Sequence, residues 1–126
     1  SGPLDPGVYQ SIYQANLKMV SDYAVAHRIP LMVAESSPQK NFLPALGQAA
    51  WDGWYQKLFD YIAEYDVKAL CYINENWPDY GWDSSIFGDS RVQTNPYVFS
   101  RWQAAVAPPR FIHAGSAFYS QIGFSP

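Results

Sequence analysis

A single cysteine, Cys71, stands among the 126 residues, so no disulfide can form within the chain and cysteine usage does not reveal a redox compartment. Cys71 lies in an apolar run and reads as a small buried hydrophobe rather than a nucleophile. Apolar runs are short. None reaches the roughly 18 residues of a membrane-spanning helix, so no membrane partner is expected. Basic clusters are missing too, and a net charge of −3 with a pI of about 5.1 argues against a nucleic-acid backbone as partner. His27 and His113, far apart, and the lone cysteine give no zinc-ligand spacing, so neither a metal nor a cofactor is expected. No glycine-rich turn is present to cradle a phosphate, and Ser36 and Ser37 lack the G-x-S-x-G elbow of a serine hydrolase. The chain opens Ser1-Gly2-Pro3 with no initiator Met and no signal peptide, which reads as an internal start, a processed end or an added remnant.

What is abundant is aromatic. Phe, Trp and Tyr make up 17% of the chain, with five Trp and ten Tyr. Such rings fill cores and also stack on flat ligand faces. The length suits one domain with a real core.

The chain alternates helical stripes with buried-type strands. Asp5-Pro6 reads as an N-cap with proline in the first turn of a helix over about 6–27. Tyr9, Ile12, Tyr13, Val20, Tyr23 and Ala24 form its apolar stripe, with Lys18, Ser21 and Asp22 off it. The run Leu31-Met32-Val33-Ala34 then ends abruptly on Glu35-Ser36-Ser37-Pro38, which predicts a strand over 31–35 buried on both faces. A loop leads to a helix over about 48–65, striped by Trp51, Trp54, Tyr55, Leu58, Ile62 and Tyr65. A second strand follows over about 67–74 and ends on Asn74-Glu75-Asn76-Trp77. Strand, helix, strand makes a βαβ unit with parallel strands. Glu35 and the Asn74–Trp77 segment therefore fall at one edge of the sheet, where parallel-sheet folds place their chemistry. A long loop over 75–94 carries Tyr80, Trp82 and an Asp89–Arg91 pair that reads as a loop-locking ion pair. Asn95-Pro96 repeats the cap-plus-proline start for a helix over 96–106, which Pro108-Pro109 stops. Trp51, Trp54 and Trp102 follow helical stripes and are expected in the core. The tail over 111–126 has no clear period.

Carboxylates among aromatics at one sheet edge suit a sugar, whose apolar faces stack on rings and whose hydroxyls bond to carboxylates and amides. Glycoside cleavage needs two carboxyl groups. Glu35 and Glu75 are candidates for such a pair, but neighbouring strand ends can also hold them too close or aim them wrongly.

The segments Ile29–Pro38, Tyr72–Trp77 and Phe87–Gln93 resemble the C-terminal part of a clan-A glycoside hydrolase (β/α)8 barrel, most similar to the family-26-like mannanases and related β-glycanases. The resemblance covers roughly residues 8–112. It implies an α/β fold, a partial TIM barrel in which residues 1–126 form the C-terminal part. Strand seven would lie at about 31–35, strand eight at about 67–74 and the last helix at about 96–106. It implies Glu35 as the nucleophile of a retaining mechanism and Trp77 as the platform beneath the sugar, with Asn74, Glu75, Asn76, Tyr80 and Trp82 as further substrate-binding candidates. It also implies a carbohydrate substrate and an extracellular, secreted location. The acid/base glutamate of such enzymes comes from strand four, which has no counterpart here. A barrel needs about 250 residues and eight strands. The expected partner is thus the remainder of a barrel, from another chain segment or another subunit, and little activity is expected of this piece alone. Two other readings stay open: a non-catalytic carbohydrate-binding or subunit-assembly module that keeps the barrel lip, and a non-glycosidase α/β domain using the same edge.

Overall fold

A computed structural model describes residues 6–124, with side chains from residue 14 onward. Helix α1 spans Pro6–Ala26 and strand β1 Met32–Ser36. Asp5, the expected N-cap of α1, lies outside the described residues, as do the side chains of Tyr9, Ile12 and Tyr13 and the last two residues of the tail. Two short 3₁₀ turns, Lys40–Phe42 and Pro44–Leu46, lead into three consecutive segments, Gln48–Ala50, Trp51–Tyr55 and Gln56–Glu64. These run on as a single helix, α2, whose middle segment is π-helical. Strand β2 spans Ala69–Tyr72, helix α3 Pro96–Val106 and the short helix α4 Phe118–Gln121. Among the described residues, no helix is long and apolar enough to cross a membrane.

The strands pair in parallel, with Met32 opposite Ala69, Val33 opposite Leu70 and Ser36 opposite Tyr72. β2 is shorter than the expected 67–74, yet bonds from Lys68 N–H to Leu31 O (2.8 Å) and from Ile73 N–H to Ser36 O (2.9 Å) carry the pairing beyond it. The expectation of burial on both faces does not hold within this chain. Met32, Ala34, Ala69 and Cys71 are exposed, while Leu31, Val33, Leu70 and Tyr72 are half-buried. Cys71 is therefore no core residue: it shares the open face with Ala69, because successive side chains alternate across a sheet.

The core lies between α2, α3 and the loop that joins β2 to α3. Ala50, Trp51, Tyr55, Val92 and Val98 form it, with Trp54, Phe59, Tyr72, Trp102 and Ala105 packed against them. Trp51 is buried as expected, whereas Trp54 and Trp102 are half-buried at its margin. The π turn puts Trp51 and Tyr55 on one side with their rings stacked 5.7 Å apart. Gly53 in that turn lets the Phe42 ring approach. A Cβ there would come within 2.6 Å of the ring. Asn95 caps α3, its side-chain oxygen accepting from Tyr97 N–H at 3.0 Å and Val98 N–H at 3.2 Å.

Helix α1 is rotated from the expected stripe. Ser21 and Ala24 are buried, and Val20 and Tyr23 are more than half exposed. The cause is the surface that α2 offers. The Tyr61 hydroxyl donates to Ser21 Oγ at 2.8 Å, Ser21 donates on to Leu17 O, and the Tyr65 hydroxyl donates to Asp22. Two phenols select a polar face, and Met19, Val20, Tyr23 and Val25 are left outward. In the tail, Phe111 packs edge-on against Phe59 and a ring nitrogen of His113 meets Val106 O at 2.9 Å.

Candidate active site at the strand ends

Both strands deliver their C-terminal ends to one edge of the sheet, and β1 does so with a kink. Between Val33 and Ser36 it advances three residues while β2 advances two, from Leu70 to Tyr72. The additional residue is a bulge at Ala34–Glu35. Bulges bend a strand and re-aim its side chains. Strict alternation would carry Glu35 to the half-buried side with Leu31 and Val33. Instead Ala34 and Glu35 are both exposed and Ser36 returns to that side. Among the described residues the Glu35 carboxylate has no hydrogen-bond or salt-bridge partner, so it is free to meet a ligand. The residues behind it are held: Ser36 donates its hydroxyl to Cys71 O at 2.9 Å, and Pro38 is fully buried.

The lip after β2 is held from beneath by Ser90, which is fully buried. Its Oγ accepts from Glu75 N–H at 3.2 Å and lies 2.8 Å from Ile73 O and 2.7 Å from Glu75 O, which share its one proton. The Tyr72 hydroxyl donates to Ser90 O, and the Tyr55 hydroxyl donates to the Tyr72 oxygen at 2.8 Å. A line of hydrogen bonds thus runs from the π turn of α2 through β2 to the lip. Asn74 is occupied within the loop: its side-chain oxygen accepts from Val92 N–H at 2.9 Å and its amide donates to Gln93. Asn76 pairs with Asp89 in an isolated antiparallel bridge. As expected, Arg91 locks the loop on Asp89 through two side-chain bonds of 2.8 and 2.7 Å, which hold that carboxyl below the usual carboxylate range. Every buried side-chain nitrogen and oxygen among the described residues has a partner.

Above this base the aromatics gather. Trp77, Trp82 and Phe87 meet pairwise at ring distances of 5.1 to 5.7 Å, and Trp82 is half exposed. Tyr80, 66% exposed, donates to the Glu75 carboxylate at 3.2 Å, and that charge pushes the phenol pKa up. The Trp77 indole N–H donates to Ser37 Oγ at 2.9 Å, and Lys40 N–H donates to Ile86 O at 3.0 Å. These two bonds tie the lip of β1 to that of β2.

The buried phenols give this base a pH limit. Burial pushes the Tyr55 hydroxyl up to about 12 and raises that of Tyr72 as well. Both folded-state values exceed that of an unfolded tyrosine. Their contribution is therefore complete below about pH 10 and is lost as pH rises through the folded values. The melting temperature of the full-length protein is expected to fall from about pH 10 upward, and less steeply in Tyr72→Phe. Equal slopes in both proteins would contradict this origin.

The chain is similar to β-1,3-xylanases. The β-1,3-xylanase TXYA of a Vibrio species is 30% identical over an alignment of 128 positions, gaps included, that takes in 82% of this chain and 28% of that protein. A β-1,3-xylanase of an Alcaligenes species is also 30% identical over 128 alignment positions, covering 82% of this chain and 27% of that one. No family model matches the chain. The chain thus spans little more than a quarter of the length of the xylanases it matches.

The lip residues fall into two groups. Glu35, Glu75, Tyr80 and Trp82 present exposed side chains, and Trp77 is half-buried, its ring meeting Trp82, Phe87 and the Ser37 hydroxyl. Asn74 and Asn76 serve the loop through the contacts given above. Sequence reasoning missed three participants: Ser37 as the indole acceptor, Ser90 as the buried clamp and Phe87 as the third ring. Ser90 had one signal, its place in Gly88-Asp89-Ser90-Arg91. For Ser37, adjacency to the strand end was the only sign.

Proposed function

We propose that this chain is part of a retaining glycoside hydrolase that cleaves β-linked polysaccharide, with β-1,3-linked xylan as the substrate class. The similarity to two β-1,3-xylanases over 82% of the chain carries the reading. In it the chain supplies the last two strands of a (β/α)8 barrel with their helices. The exposed apolar residues Met19, Val20, Tyr23, Val25, Ile29 and Met32 support this, because further strands and helices would cover them. A polymer is met outside the cell, so the proposal includes secretion.

The Glu35 carboxylate attacks the anomeric carbon while an acid from a segment outside this chain protonates the departing glycosidic oxygen. The bond to that oxygen breaks and a glycosyl ester forms on Glu35. The same external group, now a base, takes a proton from water. The water attacks the anomeric carbon, releasing Glu35 and a sugar of retained configuration. The two carboxyl groups of such a pair stand about 5–5.5 Å apart. Trp77 stacks beneath the sugar, and Tyr80, Trp82 and Glu75 extend the cleft.

The test is hydrolysis of β-1,3-xylan by the full-length protein, followed by NMR of the nascent reducing ends, with β-1,4-xylan and β-1,4-mannan as controls. The β-anomer is expected first, and from β-1,3-xylan. The α-anomer first would contradict a nucleophilic Glu35. Binding of oligosaccharide with no hydrolysis would select the non-catalytic module.

A further inference from the structure

We propose that Ser37 is a positioning residue for the sugar platform: its hydroxyl, accepting the Trp77 indole proton, sets where that ring lies relative to Glu35. The inference rests on the glycosidase reading above and adds a residue to that site. The contact, 2.9 Å long and partly buried, joins residues 40 positions apart. Among the described residues it is the one side-chain to side-chain hydrogen bond between the lip of β1 and that of β2.

Both ends of the bond are built to hold a position. On one side Ser36 is tied to β2 twice, through its hydroxyl to Cys71 O and through its carbonyl to Ile73 N–H. Pro38 is fully buried and fixes its own φ, so Ser37 sits between two immobile neighbours. It lies two residues beyond Glu35, about 7 Å along an extended chain. On the other side Trp77 opens a 3₁₀ turn ending at Tyr80, and its backbone N–H donates to Gly88 O at 3.3 Å. Its ring meets Trp82 edge-on, at 75° between planes, and Phe87 at a tilt of 48°. Edge contacts of this kind confine a ring but resist in-plane sliding weakly. The indole N–H is the ring's one polar handle, and a hydrogen bond has direction. The Ser37 acceptor therefore converts a confined ring into a placed one, referenced to the segment that carries the carboxylate.

The experiment compares Ser37→Ala, Ser37→Thr, Trp77→Phe and the double variant Ser37→Ala/Trp77→Phe in the full-length protein. It reads kcat and KM on β-1,3-xylooligosaccharides, oligosaccharide dissociation constants, melting temperature and the indole ¹H–¹⁵N resonances. Ser37→Ala is expected to lower kcat/KM about tenfold, chiefly through a higher KM, as the loss of one hydrogen bond to a binding platform does. The Trp77 indole signal should move with it. Ser37→Thr, which keeps the acceptor, should restore both. Trp77→Phe keeps a ring but lacks the donor, so the double variant should be no worse than Trp77→Phe alone. Kinetics and binding in Ser37→Ala equal to those of the unaltered protein would overturn the inference. So would additive losses in the double variant, or a loss that tracks melting temperature and is not restored by Thr. If the unaltered protein neither binds nor cleaves β-glycans, the glycosidase reading fails, and this inference with it.

Discussion

Glu35→Gln in the full-length protein is expected to lower turnover of β-1,3-xylan by about four orders of magnitude or more, because in the proposed mechanism it replaces the attacking carboxylate with a neutral amide. Stability should barely change. The Glu35 side chain is exposed and has no hydrogen-bond or salt-bridge partner among the described residues, and Gln has nearly the same shape. Substitutions at such surface sites stay within about 0.5 kcal/mol. This combination separates a nucleophile from a strand-end acid with a structural duty, which would show the reverse. A companion variant sharpens the result. Glu35→Ala opens room beside the anomeric carbon, and added azide should restore turnover of an activated glycoside and leave a glycosyl azide of inverted configuration. Steady-state kinetics with calorimetric melting checks the first expectation, and NMR of the azide product the second. Near-normal turnover in Glu35→Gln would remove Glu35 from the mechanism.

The largest expected effect on stability is at Tyr55. Its side chain is fully buried, and its ring meets Trp51, Trp54, Tyr72 and Trp102 at 4.9 to 6.2 Å. Truncation to Ala leaves a cavity among four aromatics, and aromatic-to-Ala changes in cores cost about 3–5 kcal/mol. A domain has only about 5–15 kcal/mol in all, so Tyr55→Ala should remove much of the margin. Tyr55→Phe keeps the ring and loses only the bond to the Tyr72 oxygen, a loss of about 1 kcal/mol. Thermal unfolding of the full-length protein measures the difference. Amide exchange should also show the Asn74–Trp77 lip loosening in the Ala variant, since Tyr55, Tyr72 and Ser90 form one bonded line beneath it. Equal destabilisation by Ala and Phe would mean that packing around Tyr55 contributes little.

Local chemistry made parts of this arrangement readable from sequence. Asn95-Pro96 and Pro108-Pro109 bracket α3, whose observed bounds are Pro96–Val106, because capping and proline geometry act within a few residues. The apolar stripe from Trp51 to Ile62 located α2, and the apolar runs around it located two parallel strands with their ends together. Features set by distant partners were not readable. The bulge at Ala34–Glu35 exists only in the register against β2. The inward face of α1 depends on the phenols of Tyr61 and Tyr65, more than thirty residues away in sequence. Cys71 looked buried because an apolar run reads alike whether one face of its strand is covered or both. Ser37 and Ser90 act through partners 40 and 15 residues distant, and their local sequence does not name those partners. The roles proposed for Glu35 and Trp77 rest on resemblance, since a strand-end acid and a loop Trp have no spacing that names a reaction.

The most direct test of the central claim is covalent capture. The full-length protein would be treated with mechanism-based xylosyl and xylobiosyl inactivators and mapped by peptide mass spectrometry. The account predicts a glycosyl ester on the peptide containing Glu35, blocked by prior addition of β-1,3-xylooligosaccharide. An adduct on another carboxylate, with Glu35 unmodified, would contradict it.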